Sequence, residues 1–174
     1  MYELIAEKMA PLRETYQSGA MERWHLVEEV VKELYHEPIE SVWFVKKCSW
    51  LWISPDGLIK NPEGKYTKAI EIKWPEPKNT MKYWIENKIP DEYFWQVIHY
   101  FIVIEDLESL DFIIANPDMH DSFFRNKTIT VTRSELEAQI ENAKTALNDF
   151  YSEWVEMMNK FISLKPKDAI LEDS

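Results

Sequence analysis

Asp56, Glu71 and Lys73 are the residues whose types and spacing could do chemistry. Asp56 breaks an apolar run at Pro55-Asp56-Gly57, and Glu71 and Lys73 alternate with Ile70 and Ile72 in a second run. Side chains alternate faces along a strand, so Glu71 and Lys73 project to one side while the two isoleucines project to the other. If the two runs pair as a hairpin, Asp56 falls beside the charged face, and two carboxylates meet an ammonium. Hard divalent cations such as Mg2+ favour oxygen donors of this kind. A water acidified by such an ion, with a lysine beside it, is equipped to hydrolyse a phosphodiester. Taken singly, Pro-Asp-Gly is a common turn and Glu-x-Lys an ordinary amphipathic strand. On consecutive strands, with Gln96 downstream, they point together to a metal-dependent nuclease.

The elements that must hold these residues follow from periodicity. Residues 21–35 predict a helix with Trp24, Val27, Val31 and Leu34 at three- and four-residue steps. Glu28 borders that stripe, either paired with Lys32 at i+4 or turned toward the metal site. Glu22 competes with it as the upstream acid, although acids near a helix start are favoured by the macrodipole alone. A shorter helix is expected over 2–16. Strands are expected over 40–46, 49–53, 58–62 and 68–74, with Pro75-Glu-Pro77 ending the last. Residues 79–92 read as a loop or short helix in which Lys82, Tyr83, Trp84 and Lys88 interleave, able to pack or to touch a nucleic-acid strand. A helix over 91–104 packs Phe94, Val97, Ile98, Phe101 and Ile102 and carries Gln96 and His99. Ser109–Ala115 and 128–132 are further strands. Ser134 with Glu137 offers a capping box that opens a long helix to about residue 164. The order predicts an α/β fold, one mixed β-sheet flanked by helices with a long C-terminal helix, as a single domain over 1–164 and a frayed acidic tail over 165–174.

Composition narrows the function. Apolar residues make up 45% of the 174 and aromatics 14%, which excludes a disordered chain. Three glycines leave no glycine-rich phosphate loop. The lone Cys48 excludes a disulfide framework and a cysteine-built metal centre. No apolar run approaches ~20 residues and the start lacks a signal-peptide layout, so no membrane association and a cytoplasmic setting are expected. The net charge of −11 opposes nucleic-acid binding. Between residues 41 and 88, however, lysines outnumber acids, and two of those acids are the expected metal ligands. A locally basic cleft on an acidic body is therefore expected, with DNA as partner.

Ser54-Pro-Asp-Gly57, Glu71-Ile-Lys73-Trp-Pro75, Tyr93-Phe-Trp-Gln96-Val97 and Ala115-Asn-Pro-Asp-Met119, in that order, resemble the lambda-exonuclease/YqaJ-like viral recombinase family of the PD-(D/E)xK nuclease superfamily. The resemblance spans residues ~20–160 and rests on four separated motifs. It implies a restriction-endonuclease-like core in which Asp56, Glu71 and the Ile72 carbonyl hold one or two Mg2+ ions, with Mn2+ as a substitute. Lys73 would assist the nucleophilic water, Gln96 would stand near the catalytic centre, and Ser54 would touch the terminal phosphate. Glu28, with Val31 and Tyr35 behind it, fits the family's upstream acid better than Glu22. The second glutamine that the family carries is replaced by the Ile98-His99 stretch, and Arg13 or Arg23 are the candidates for a 5′-phosphate pocket. The implied activity is 5′→3′ exonuclease action on linear double-stranded DNA in phage-type recombination, by a phage or prophage protein in the host cytoplasm. A single-strand annealing protein and a homotrimer around DNA are the implied partners. The alternatives are an endonuclease or nickase of the same superfamily, or a non-catalytic DNA- or protein-binding module.

Overall fold

In the computed structural model, residues 19–164 are described, with side chains from residue 25 onward. The helix expected over 2–16, the tail over 165–174 and the side chains of Arg13, Glu22 and Arg23 lie outside the described residues. Strand β4 (Tyr66–Lys73), the axis of the sheet, carries the alternation just described. The first four strands of the chain are β1 (Val45–Cys48), β2 (Leu51–Ile53), β3 (Gly57–Lys60) and β4. β3 and β4 form the expected antiparallel hairpin, with Gly57 opposite Ile70. β5 (Ser109–Ala115) runs parallel to β4, and β6 (Asn126–Thr132) antiparallel to β5, giving the mixed order β3-β4-β5-β6. β1 and β2 form a separate two-stranded ribbon.

The two faces of β4 do different things. Ile70 and Ile72 are fully buried among Ile59, Ile113 and Ala115, and helix α1 (Gly19–Leu34) lays Val27 and Val31 on that cluster. Burying such side chains stabilises by about 1.5–3 kcal/mol each. The opposite face meets α3 (Asp91–Val103), where Val97, Ile98, Tyr100 and Phe101 are buried. Between β4 and α3 lies α2 (Pro77–Glu86), opened by Pro77 in the first turn and closed by Asn87 in the left-handed conformation. That helix settles the 79–92 reading. Tyr83 is buried and donates to Glu92 at 2.7 Å, while Trp84 packs against Phe123 and Phe124, so these aromatics are structural.

Several boundaries shift by a residue or two, and at two places the shift has a physical cause. The strand expected over 40–46 begins only at Val45, and Glu40 instead makes an isolated bridge to Leu58 with bonds of 2.8 and 3.0 Å. The cause lies at Gly57. A Cβ there would come within 2.4 Å of Ile39 Cγ2, so the glycine lets residues 39–40 close over the edge of β3 before the ribbon starts. The last helix, α4 (Arg133–Ile162), is capped by Thr132 and not Ser134: Glu135 accepts from the Thr132 N–H at 2.8 Å and its hydroxyl at 2.7 Å. This is the reach-back half of a capping box, moved two residues upstream. Leu136 and Ile140 of α4 are buried within the unit that holds the sheet. Residues 141–164 belong to a second compact unit, in which Phe150, Phe161 and Leu164 are exposed.

Candidate active site

The hairpin brings the expected groups together. Asp56 sits at the break before β3, and its Oδ2 accepts the Ile72 N–H at 2.7 Å, which pins the turn to β4. Glu71 is only 2% exposed, on the face opposite Ile70 and Ile72. Gln96 Nε2 donates to Glu71 Oε1 at 2.7 Å, and Tyr100 donates its hydroxyl to Oε2. Lys73 pairs with Glu71 Oε1 and lies 5.2 Å above the ring of Tyr93. Both carboxylate oxygens of a buried acid are thus satisfied, which offsets its desolvation.

The electrostatics show two acids in close company. Burial first, and then the charge of Glu71, push the Asp56 carboxyl up to about 7, against the opposing pull of the Ile72 N–H. Glu28 adds to the rise and Lys73 works against it, so the upstream helical acid is felt at Asp56. Glu28 is also ion-paired to Lys32, as expected from their i,i+4 spacing. Burial and the neighbouring Glu71 carboxylate likewise hold the Tyr100 phenol well above its ordinary range, so it stays a proton donor.

Ser54 lines a recess of about 460 Å3 with Trp52, Ile53, Trp95, Gln96, His99 and Tyr100. His99 keeps its Nε2 against the Trp52 carbonyl at 3.2 Å, and burial lowers its pKa. The expected basic cleft is muted: Lys47, Lys60, Lys65 and Lys68 are each engaged by a carboxylate, from Glu105, Glu40, Asp106 and Glu37 in turn.

Sequence reasoning missed Tyr100 and Tyr93. Both share a helical face with Gln96, at i+4 and i−3, and that spacing was the available signal. Asn116, quoted above only as part of a motif, is a buried hub. Its side-chain amide donates to the Pro75 carbonyl at 2.8 Å and to Thr80 at 2.7 Å, and it accepts from Trp74 at 3.2 Å, tying the end of β4 to α2.

A hard divalent cation suits this donor set, because burial and then the neighbouring Glu71 charge both disfavour an uncompensated Asp56 carboxylate. Among the described residues no cluster of three or more His, Cys, Asp or Glu side chains forms a cage. Mg2+ at phosphoryl sites commonly takes one or two carboxylates, with water and substrate oxygens completing its shell.

A mixed sheet whose hairpin delivers an aspartate, a glutamate and a lysine, met by a helical glutamine, defines a core of the PD-(D/E)xK nuclease type. The chain belongs to the YqaJ-like viral recombinase domain family, whose model matches residues 1–107. The fold is similar to that of an alkaline exonuclease, LHK-Exo from Laribacter hongkongensis, with a TM-score of 0.69 at 20% identity over 94% of this chain and 84% of that one. The same exonuclease in complex with dAMP gives a TM-score of 0.69 at 21% identity, again over 94% and 84% of the two chains. No curated protein matches the sequence.

Proposed function

We propose that this chain is a metal-dependent deoxyribonuclease acting as an exonuclease, 5′→3′ on linear double-stranded DNA, in phage-type recombination in the host cytoplasm. The observation that carries the reading is the buried Glu71, with Lys73 on its carboxylate and Asp56 pinned to the N–H of the next residue, Ile72. Family membership and the fold of an alkaline exonuclease support it. That exonuclease is seen with dAMP, which favours DNA as the substrate here.

Asp56, Glu71 and the Ile72 carbonyl would hold one or two Mg2+ ions, or Mn2+ in their place. Such an ion supplies an acidified water and counter-charge for the leaving oxygen. Lys73, held between Glu71 and the Tyr93 ring, orients the attacking water and offsets charge growing on the non-bridging oxygens. Gln96 and Tyr100 fix the plane of the Glu71 carboxylate from both sides. Glu28 adds a further acid beside Asp56, and Ser54 contacts the terminal phosphate. A single-strand annealing protein would receive the exposed strand, and the exposed Phe150, Phe161 and Leu164 suit a homotrimer.

Labelled linear duplex, incubated with Mg2+ or with EDTA, tests the chemistry. Cleavage should require the metal, and Asp56→Asn or Lys73→Ala should lower the rate by ~10^2–10^3-fold or more with the far-UV circular dichroism unchanged. Cleavage that persists in EDTA would refute the metal assignment. Covalently closed circular DNA should survive, and its nicking would make the protein an endonuclease.

A further inference from the structure

Trp52 on β2 and Trp95 on α3 are 49% and 63% exposed, and both line the recess that contains Ser54, Gln96 and Tyr100. Large indole faces left to solvent at a site rim are unusual unless something covers them. Each is braced from its own side. Phe44 meets Trp52 edge-on at 5.0 Å, and Phe94 meets Trp95 edge-on at 5.3 Å, so the outward faces are held in position. Gln96 and Tyr100, which share the recess, are the two residues that bond Glu71. An occupant is therefore one side chain away from the proposed metal ligands.

We propose that Trp52 and Trp95 form a stacking platform for an unpaired nucleobase of the DNA strand entering the site. The inference rests on the nuclease reading and names how that site grips its substrate. Of about 460 Å3, the recess lies within the ~300–1,000 Å3 range of small-ligand sites, enough for a nucleotide-sized group. Every base presents a π-face, so stacking on indole binds without regard to sequence. The polar groups around the recess support that indifference. Gln96 and Tyr100 are committed to Glu71, and His99 to the Trp52 carbonyl, which leaves little to read a base edge. The base must be out of its pair to reach an indole face, so the platform favours a frayed end or a single strand over intact duplex.

The test uses the full chain in an Asp56→Asn background, with Mg2+ present and the DNA left uncut. Two short labelled single strands are compared by fluorescence anisotropy, one fully base-bearing and one abasic at its 5′-terminal nucleotides. The base-bearing strand should bind about 5- to 100-fold more tightly. Trp95→Ala, on an exposed helix face, should reduce that preference several-fold, and Trp52→Ala with it should bring it near one. Trp52→Phe keeps a ring and should retain most of the preference, which guards against a folding defect at the half-exposed Trp52. Equal binding of the two strands, a preference untouched by Trp95→Ala, or no binding of either would overturn the platform. Cleavage by the wild-type chain is read separately, so its failure and the failure of the platform are distinct results.

Discussion

Tyr100 turns a common helix–strand contact into part of the site. A carboxylate as buried as Glu71 needs donors on both oxygens, and the phenol supplies one of them. Hydrogen bonds to charged groups contribute about 1.5–3 kcal/mol. Tyr100→Phe keeps the ring and its packing but removes this donor, so the expected result is cleavage lowered roughly 10- to 100-fold, with a higher Mg2+ requirement and a melting temperature lower by several degrees. Activity measured against Mg2+ concentration checks this, and unchanged rates would remove Tyr100 from the site. At this scale the sequence was most readable where polar residues had no apolar excuse. Asp56, Glu71 and Lys73 interrupt or alternate with isoleucines, and their convergence follows from strand geometry. Tyr100 was hidden because a tyrosine within an apolar helix stripe is usually packing, and its hydroxyl partner lies on a strand 29 residues away.

Elements hold these residues through polar clasps as much as through the core. On the face of the sheet covered by α1, Asp111 of β5 is buried and accepts from Tyr35, near the end of α1, and from Thr130 of β6 at 2.6 Å. Lys68 of β4 stands 3.9 Å away. Asp111 thus joins α1, β4, β5 and β6 at one carboxylate, and α1 is the helix that presents Glu28. Asp111→Ala would leave a phenol, a hydroxyl and an ammonium facing an apolar gap. Removing one member of a buried charged cluster costs about 3–5 kcal/mol. Urea unfolding should show a loss of that order, and Asp111→Asn, which keeps the side-chain volume and one acceptor oxygen, should lose clearly less. Equal losses would mean that the charge or the second acceptor oxygen, which both variants lack, is what matters there. Helix and strand order was legible because periodicity reports burial, but of the strand pairing only the β3–β4 hairpin was, and the separate β1–β2 ribbon was not. The start of β1 was not legible, since it depends on the approach of Ile39 to a glycine 18 residues on, a contact that leaves no local pattern. The α4 cap was misplaced for a related reason: Thr132-x-x-Glu135 and Ser134-x-x-Glu137 are equally good capping boxes, and the end of β6 selects the first.

For the molecule as a whole, charge is the governing difficulty. The chain carries a net charge of −11, and lysines near the sheet are engaged by local acids. A DNA backbone approaching Asp56, Glu71 and Glu28 would add phosphates to carboxylates. Burial, and then the charge of Glu71, already lift the Asp56 carboxyl to about 7. A divalent cation at this point relieves both repulsions, acid against acid and acid against phosphate, so metal and substrate should bind with positive coupling. Binding to the folded state alone also stabilises it, by about 2.7 kcal/mol at a hundredfold excess over Kd. For a chain of this length that corresponds to a rise of roughly 5–10 °C in melting temperature. Thermal melts at fixed ionic strength should show that rise with Mg2+ or Mn2+ and not with added K+. In an Asp56→Asn, Glu71→Gln variant the rise should vanish, because the proposed ligands are gone. A cation-dependent rise that survives in the double variant would place the metal elsewhere and detach the chemistry from this hairpin.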